Sequence, residues 1–416
     1  MYYVIPIFTD PYLHPLHEDN GLSMLYVQDL DIKKESSFII QKHPDSNRFL
    51  EDYTWLKEEM IVTPDAKTLL HVYPFEFVID LNSMWWLSTN KPFNMDSVRN
   101  NAIDCFSNKY YNVKKLNEII PISKHKEYCS ELIEKINDIT IGNNEYMVDV
   151  VKAFSSIEKH GVKVSDDICD IFDMRVKKHI SNGKLYSNYN LWTTTGRPSN
   201  SFGSVNFAAL PPEKRKGFIA ENDYLVEFDF DAYHLRLIAD LVGYHTFGKE
   251  SVHEHLAKWY ECSYEESKQR TFKLLYGGID KQTREKVPFF DLTHNYINKK
   301  WNEINTHNLV STDIYRRKLL FKNYEDLNRN KVFNYLIQAL ETESNIKKIL
   351  LIQDYLLKKK TKLVLYGYDS FLFDFSQQDG VETLKNIKSI LEENKHYTKS
   401  KMGLNYGEMQ DITKRL

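Results

Sequence analysis

Three groups of residues in this chain have types and spacings suited to chemistry. In the run YLVEFDF (224–230), strand alternation puts Leu225, Glu227 and Asp229 on one face and Val226, Phe228 and Phe230 on the other. Asp229 then stands at the strand's end, just before a helical run. Further on, KLVLYGYDSFLFDF (362–375) is two apolar runs hinged at Tyr368-Asp369-Ser370, the pattern of a β-hairpin with Asp369 at its tip. Two carboxylates at strand ends of one sheet can share two Mg²⁺ ions about 4 Å apart and clamp the oxygens of a phosphoryl transfer. An aspartate at a strand end also serves as an ordinary turn or cap residue. The third group is YEESKQRTFKLLYGG (264–278), in which Lys268, Phe272 and Tyr276 recur at i, i+4, i+8 and share one helical face. A cation and two rings suit a nucleoside triphosphate; the same spacing describes an amphipathic helix with a snorkelling lysine.

The elements that must position these groups follow from pattern. LSMLYV (22–27) and SSFIIQ (36–41) read as a strand pair, NRFLEDYTWLKEEM (47–60) as a helix, and FEFVIDL (75–81) as a further strand or buried segment. RNNAIDCFSNKYY and KEYCSELIEKIND look helical, and GNNE (142–145) is a break that fits a domain boundary. MVDVVKAFSSIEKHGVKVS reads as a helix closed by Gly161, and DDICDIFDMRVKKHI as a second helix ending at Asn182-Gly183. The polar stretch from Leu185 to Phe218 has the character of a functional loop region. AYHLRLIADLVGY resumes as a helix.

Composition limits the partners. The 416 residues fit two or three domains. Lys plus Arg is 55 against 58 Asp plus Glu, a formal charge of −3, which excludes a protein held on nucleic acid by bulk charge alone. Lys214-Arg215-Lys216 nevertheless supplies local positive charge. The sequence shows no membrane-length apolar run and no repeat, and its start, without a basic leader or long apolar stretch, is not expected to be a signal peptide. Cys105, Cys129, Cys169 and Cys262 are scattered without a CxxC pair, which fits a reducing cytoplasm. The 13% aromatic content serves either core packing or base stacking.

Taken in order, these segments resemble the family A DNA polymerases, the bacterial polymerase I type. FIAENDYLVEFDFDAYHLRLIADL is similar to the first palm motif and its lead-in. TTTGRPSN and NFAALP resemble the TGRLSS and PNLQNIP signatures, and KQRTFKLLYGG the Lys-x3-Phe-x3-Tyr-Gly fingers motif. FNYLIQALETE (333–343) resembles the NAPMQGTAAD segment, YGYDSFLFDF the second palm motif, and GLNYGEM (403–409) the C-terminal end. The resemblance implies an α/β (α+β) right-hand fold. Residues 1–145 would be a small, degenerate exonuclease-like domain and 146–416 a polymerase domain. Its palm would span about 146–240 and 331–416, its fingers about 241–330.

Roles carry over position by position. Asp229 and Asp369 would hold two Mg²⁺ ions, for which Mn²⁺ can substitute, with the Phe230 carbonyl as a further ligand. Lys268 would serve the triphosphate as general acid and charge stabiliser. Phe272, Tyr276 and His234 would line the nucleotide pocket. Arg197 would reach the primer terminus. Asn334 and Gln338 would face the nascent base pair, and Asn206 and Arg215 would touch the DNA backbone. Arg236, in the helix after Asp229, would support the strand end.

Several departures stand out. His234 replaces the steric-gate glutamate, which implies weaker discrimination against ribonucleotides. Ser370 replaces the acid after Asp369; it can bridge through water, whereas Asp374 lies far along the hairpin. Tyr264 occupies a position usually held by arginine, and Arg270 is off that face. Only about one helix fits where two long thumb helices stand, so the thumb would be reduced or missing and processivity low. The N-terminal Asp-x-Glu is absent: Asp29 and Asp31 read as turn residues, and DAKTLLHVY and VIDLNSMWW resemble later exonuclease segments. His14, His17, Glu18 and Asp19 suggest a metal site or, in a Pro-containing loop, a solvated turn. No proofreading is expected.

The function implied is template-dependent DNA polymerisation on primer-template DNA with deoxynucleoside triphosphates. A processivity factor or other replication protein is a further expected partner. Compactness is reminiscent of phage or other mobile elements, which would place the protein in a host cytoplasm with no membrane partner. The alternatives are a non-catalytic DNA-binding scaffold derived from a polymerase, which would need none of Asp229, Asp369 and Lys268, and a polymerase that also incorporates ribonucleotides.

Overall fold

The apolar runs near the N-terminus assemble into a mixed sheet. Its strands β1 (Tyr2–Phe8), β2 (Leu22–Asp29), β3 (Ser37–Ile40), β4 (Met60–Thr63) and β5 (Phe77–Asp80) lie in the order β3-β2-β1-β4-β5. β1–β2 and β2–β3 are antiparallel, while β1–β4 and β4–β5 are parallel. The computed structural model describes residues 1–8, 13–20, 22–31, 37–40, 54–89, 145–172, 174–200, 205–321 and 326–416. The two helical runs expected between 99 and 138, and most of the break at 142–145, lie outside the described residues.

The chain forms two compact units, Met1–Trp192 with Ser199–Ile219, and Thr193–Pro198 with Ala220–Leu416. In the first, helices α1 (Ala66–Val72), α2 (Leu81–Thr89) and α3 (Glu145–Glu158) accompany the sheet. Asp65 caps α1 by accepting from the Thr68 amide at 3.0 Å. Along α3, Met147, Val150, Val151, Phe154 and Ile157 recur at helical spacing and are all buried. Gly161 follows at φ +61°, closing the helix as its position suggests.

Two expected helices are not helices. Within 47–60 the described part is a 3₁₀ turn, Thr54–Glu58, after which Met60 begins β4. Met60 and the β-branched run Ile61-Val62-Thr63 pair in parallel with β5, which ends the helical stretch at Glu58. Among its described residues, the run DDICDIFDMRVKKHI holds only the four-residue α4 (Ile168–Ile171) and a 3₁₀ segment, Met174–His179. Phe172 leaves the helix to pack edge-on against Phe218 at 5.8 Å. Asn182 and Gly183, at φ +50° and +69°, are not a helix stop; they turn a hairpin between Ile180–Ser181 and Lys184–Leu185. Two successive left-handed residues suit a tight hairpin, and Asn-Gly is the pair that adopts them most cheaply.

The second unit is built on an antiparallel sheet whose central strand, Tyr224–Phe230, is bonded on both sides. Lys362–Tyr366 and Ser370–Phe375 form the hairpin beside it; Thr398–Gly403 and then Gln410–Asp411 lie on its other flank. Phe228, Phe371 and Phe373 are fully buried in this sheet. The helices are α5 (Tyr233–Val242), α6 (Val252–Tyr260), α7 (Tyr264–Gly277), α8 (Lys281–Lys286), α9 (Pro288–His307), α10 (Arg329–Leu356) and α11 (Val381–Leu391). One apolar core joins α5, α6, α7, α9 and α10 through Ile238, Leu256, Leu275, Phe289, Phe290 and Leu336. No helix among the described residues is long and apolar enough to cross a membrane.

Candidate active site

Both aspartates singled out by pattern come to one end of the second unit's sheet. Asp229 sits across from Ser370 on one side and Lys399 on the other. The hairpin turn is tight: the Gly367 amide donates to the Ser370 carbonyl at 2.8 Å, and Tyr368 stands at φ +71°. The Phe230 amide donates to the Asp369 carbonyl at 2.9 Å, so backbone contact joins the two acidic residues' segments.

The electrostatics are those of crowded acids. Burial, then Asp369 and Glu227, push the Asp229 carboxyl up to about 7. Burial and then Glu341 push Asp369 above the usual carboxylate range, against opposing pulls from Arg197 and His234. Glu227, on the Asp229 face as alternation requires, accepts from the Tyr406 hydroxyl at 3.0 Å. Asp374 lies at the far end of the hairpin strand and accepts from the Asn222 amide at 3.0 Å, away from Asp229.

Beyond the strand the chain turns sharply through Ala232, at φ +52°, into α5. Arg236 holds this corner, donating to the carbonyls of Asp231, Gly248 and Glu250 at 3.0, 3.1 and 3.2 Å. Lys399 pairs with Asp231 at 2.9 Å.

α7 begins with a capping box between Ser263 and Glu266. Ser267, Thr271, Leu274 and Leu275 are its buried side, and Lys268, Phe272 and Tyr276 form the exposed stripe. The rings of Phe272 and Tyr276 stack at 5.9 Å. Arg270 lies over Tyr260 at 4.5 Å and Tyr264 packs against His253, so neither adds charge to the stripe.

His234, on α5, links this helix to α10. Its Nδ1 lies 2.9 Å from the Tyr276 hydroxyl and its Nε2 lies 3.4 Å from Glu341. The Arg197 guanidinium donates to Glu341 Oε1 at 3.2 Å and stands 3.9 Å over the Tyr368 ring. Gln338 accepts from Thr195 at 3.4 Å. Asn334 lines a cleft of about 490 Å³ with Tyr276, Asn328, Arg329, Asn330 and Lys331, and its Oδ1 is buried without a partner. Thus Asp229, Asp369, Lys268, Phe272, Tyr276, His234, Arg197, Asn334 and Gln338 belong to one unit. Asn206 and Arg215 belong to the other, where Asn206 precedes a 3₁₀ turn and Arg215 donates to the Leu210 carbonyl at 3.1 Å.

Pattern reading missed Glu341 and the buried pair of Arg317 with Glu343, whose atoms lie 3.0 Å apart. The only signal was two glutamates, Glu341 and Glu343, close behind the apolar residues Leu336, Ile337, Ala339 and Leu340 of α10.

The N-terminal acids and histidines arrange differently from a metal loop. Asp29 accepts from the Asp31 amide at 2.9 Å, a turn contact. Glu18 and Asp19 are exposed, while His17 is buried. His14 instead stands near His71 and Glu158. Glu158 already accepts from Lys67 at 2.7 Å and from the Tyr189 amide at 2.6 Å, and lies 2.8 Å from His71. His14 Nδ1 accepts from the Leu16 amide at 3.2 Å, and burial, then His71, holds the ring neutral with its value near 3. Lys67, His71 and the Tyr189 amide thus form a buried network around Glu158, and half-buried His14 stands beside it with Nε2 unpartnered.

No family model matches the chain, and no curated protein matches it. Among solved structures it is similar to the polymerase domain of Pol1 from M. smegmatis, a structure in complex with DNA primer-template and dNTP. The TM-score is 0.69 at 13% identity, with 98% of this chain and 95% of that chain covered. The fold is that of a polymerase domain.

Proposed function

We propose that the chain is a template-dependent DNA polymerase that extends a primer 3′-OH with deoxynucleoside triphosphates. The observation that carries this reading is the convergence of Asp229 and Asp369 at one sheet end, on a fold shared with a polymerase domain whose solved structure holds primer-template and dNTP.

The two carboxylates suit divalent cations. Both are forced above their usual range by burial and by neighbouring acids, a cost that a bound cation relieves. All-oxygen donors favour Mg²⁺, with Mn²⁺ as a substitute, and the Phe230 carbonyl adds a third donor. When bound, such ions neutralise charge on the attacking and leaving oxygens.

The chain's own residues do the rest. Lys268 offsets triphosphate charge and supplies a proton to the leaving pyrophosphate. Phe272 gives the nucleotide an apolar face, and His234 with Tyr276 forms the wall beside its sugar. Arg197, held by Glu341, meets the primer terminus. Asn334 and Gln338, one helical turn apart, read the nascent base pair. Asn206, Arg215 and the basic run Lys214–Lys216 hold the DNA backbone.

Three refinements belong to this reading. Between Glu158 and Thr193 the described residues hold only a four-residue α-helix and a six-residue 3₁₀ segment, which supports a reduced thumb and low processivity. Asp29 and Asp31 are engaged in a turn, which supports a lack of proofreading. His234 in place of a glutamate supports relaxed discrimination against ribonucleotides.

Primer extension by the purified chain with Mg²⁺ tests the proposal, with an Asp229→Asn/Asp369→Asn double variant as control. Incorporation that survives in the double variant would sink it.

A further inference from the structure

We propose that Glu341 is a positioning residue: it fixes the ring of His234, and through it the hydroxyl of Tyr276, and so sets how the pocket receives the sugar of an incoming nucleotide. The inference rests on the polymerase reading for the word sugar. The linkage itself stands on geometry alone.

Glu341 lies midway along α10 and is 1% exposed. A buried carboxylate is costly unless paired. Two groups from different parts of the chain meet it. Arg197, from the 193–198 segment, places Nε 2.7 Å from Oε2 and donates from Nη2 to Oε1 at 3.2 Å. His234, from α5, places Nε2 3.4 Å from the same Oε2.

The hydrogen inventory then runs one way. Nε2 and Oε2 stand at ion-pair distance, without a formed hydrogen bond between them. A carboxylate has no proton to offer, so its charge favours the N–H on the nearer ring nitrogen, Nε2. In the neutral ring the opposite nitrogen, Nδ1, keeps its lone pair. Tyr276 Oη is 2.9 Å from Nδ1, so the phenol donates to the ring. Glu341 thereby selects the tautomer of His234, and the tautomer aims the Tyr276 hydrogen. The chain links α10, α5 and α7, three elements with no sequence proximity. The charged and titratable groups facing or bearing on His234 are Glu341, Arg197, Tyr276 and Asp369.

Glutamine at 341 keeps the shape but presents an amide that can turn either face to the ring. It no longer dictates the tautomer, and Tyr276 can reverse its hydrogen bond.

The test compares kcat/KM for a matched deoxyribonucleotide and ribonucleotide in wild type, Glu341→Gln, His234→Ala and the double variant. The expected result is a change in the sugar ratio of about tenfold in Glu341→Gln, carried in KM rather than kcat. In the His234→Ala background the same substitution changes the ratio by less than about twofold, because the two residues act as one unit. A ratio unmoved by Glu341→Gln, or moved equally in both backgrounds, overturns the proposal. A second measurement needs neither catalysis nor a variant: ¹⁵N NMR of His234 in the full chain. The proton on Nε2 is expected; a neutral ring protonated on Nδ1 overturns the proposal even if Glu341→Gln does not fold. Absence of primer extension by wild type would defeat the polymerase reading and leave the NMR result to judge the linkage.

Discussion

The amide of Phe230 donates to the carbonyl of Asp369 across 2.9 Å, although 139 residues separate them. One residue before Phe230 is Asp229, so this hydrogen bond fixes the spacing of the two acidic side chains through backbone rather than through side-chain packing. Backbone-set geometry survives side-chain substitution, which makes the acids themselves clean targets.

The first expected outcome concerns acidity. Unfolded Asp229 loses its proton near its ordinary 3.8, whereas the folded carboxyl holds it up to about 7. The folded state therefore binds more protons across that window, and stability without divalent cation falls as pH rises through it. Asp229→Asn removes this penalty. Melting at neutral-to-basic pH should show the variant about 1–3 kcal/mol more stable than wild type, the gap closing toward pH about 4. Added Mg²⁺ should raise the melting temperature of wild type more than that of the variant. Equal melting of the two proteins at every pH would contradict the assigned acidity.

Lys268 stands exposed on the stripe of α7. Lys268→Ala should lower kcat/KM for nucleotide incorporation about 10²-fold while leaving the melting temperature within about a degree or two. Steady-state primer extension and a thermal melt check both halves.

The buried pair of Arg317 and Glu343 is structural. Arg317 also donates to the Thr195 carbonyl at 2.7 Å, and Glu343 accepts from the Tyr315 amide at 3.1 Å. Glu343→Gln strands a buried guanidinium and should cost about 3 kcal/mol. Denaturant titration reads the loss, which should far exceed that of removing the exposed pair of Lys281 with Glu285.

Gly403 has no room for a side chain, because a Cβ there would run into the Glu408 carbonyl oxygen and sit 3.1 Å from Met409 Cα. Both obstacles are backbone. Gly403→Ala should destabilise by about 1–3 kcal/mol, read as a lower melting temperature.

Processivity is the last expectation. On singly primed template with a trap for released enzyme, the lone protein should make short products. Long products in one encounter would contradict a reduced thumb.

Asp229 and Asp369 were legible because each acid interrupts a run of β-branched and aromatic residues at the point where the run must end. Lys268, Phe272 and Tyr276 were legible because helical spacing alone puts them on one face. Glu341 was not, since an acid inside an apolar helix announces a buried partner without naming it, and Arg197 lies 144 residues away. Asn182-Gly183 misled for a different reason. Left-handed residues end helices and turn hairpins equally well, and the choice depends on whether the flanking residues find strand partners, as Leu185 does with Val162.

The strand that carries Asp229 has neighbours on both sides and no open edge. Its amides, at Val226 and Phe228 for instance, should exchange with solvent deuterium only when the whole unit opens. Helix α7 is capped at its start and anchored by Leu274 and Leu275, with its other stripe open to solvent. Asp229 thus sits on the most securely paired strand of its sheet, whereas Lys268, Phe272 and Tyr276 sit on the exposed stripe of a helix.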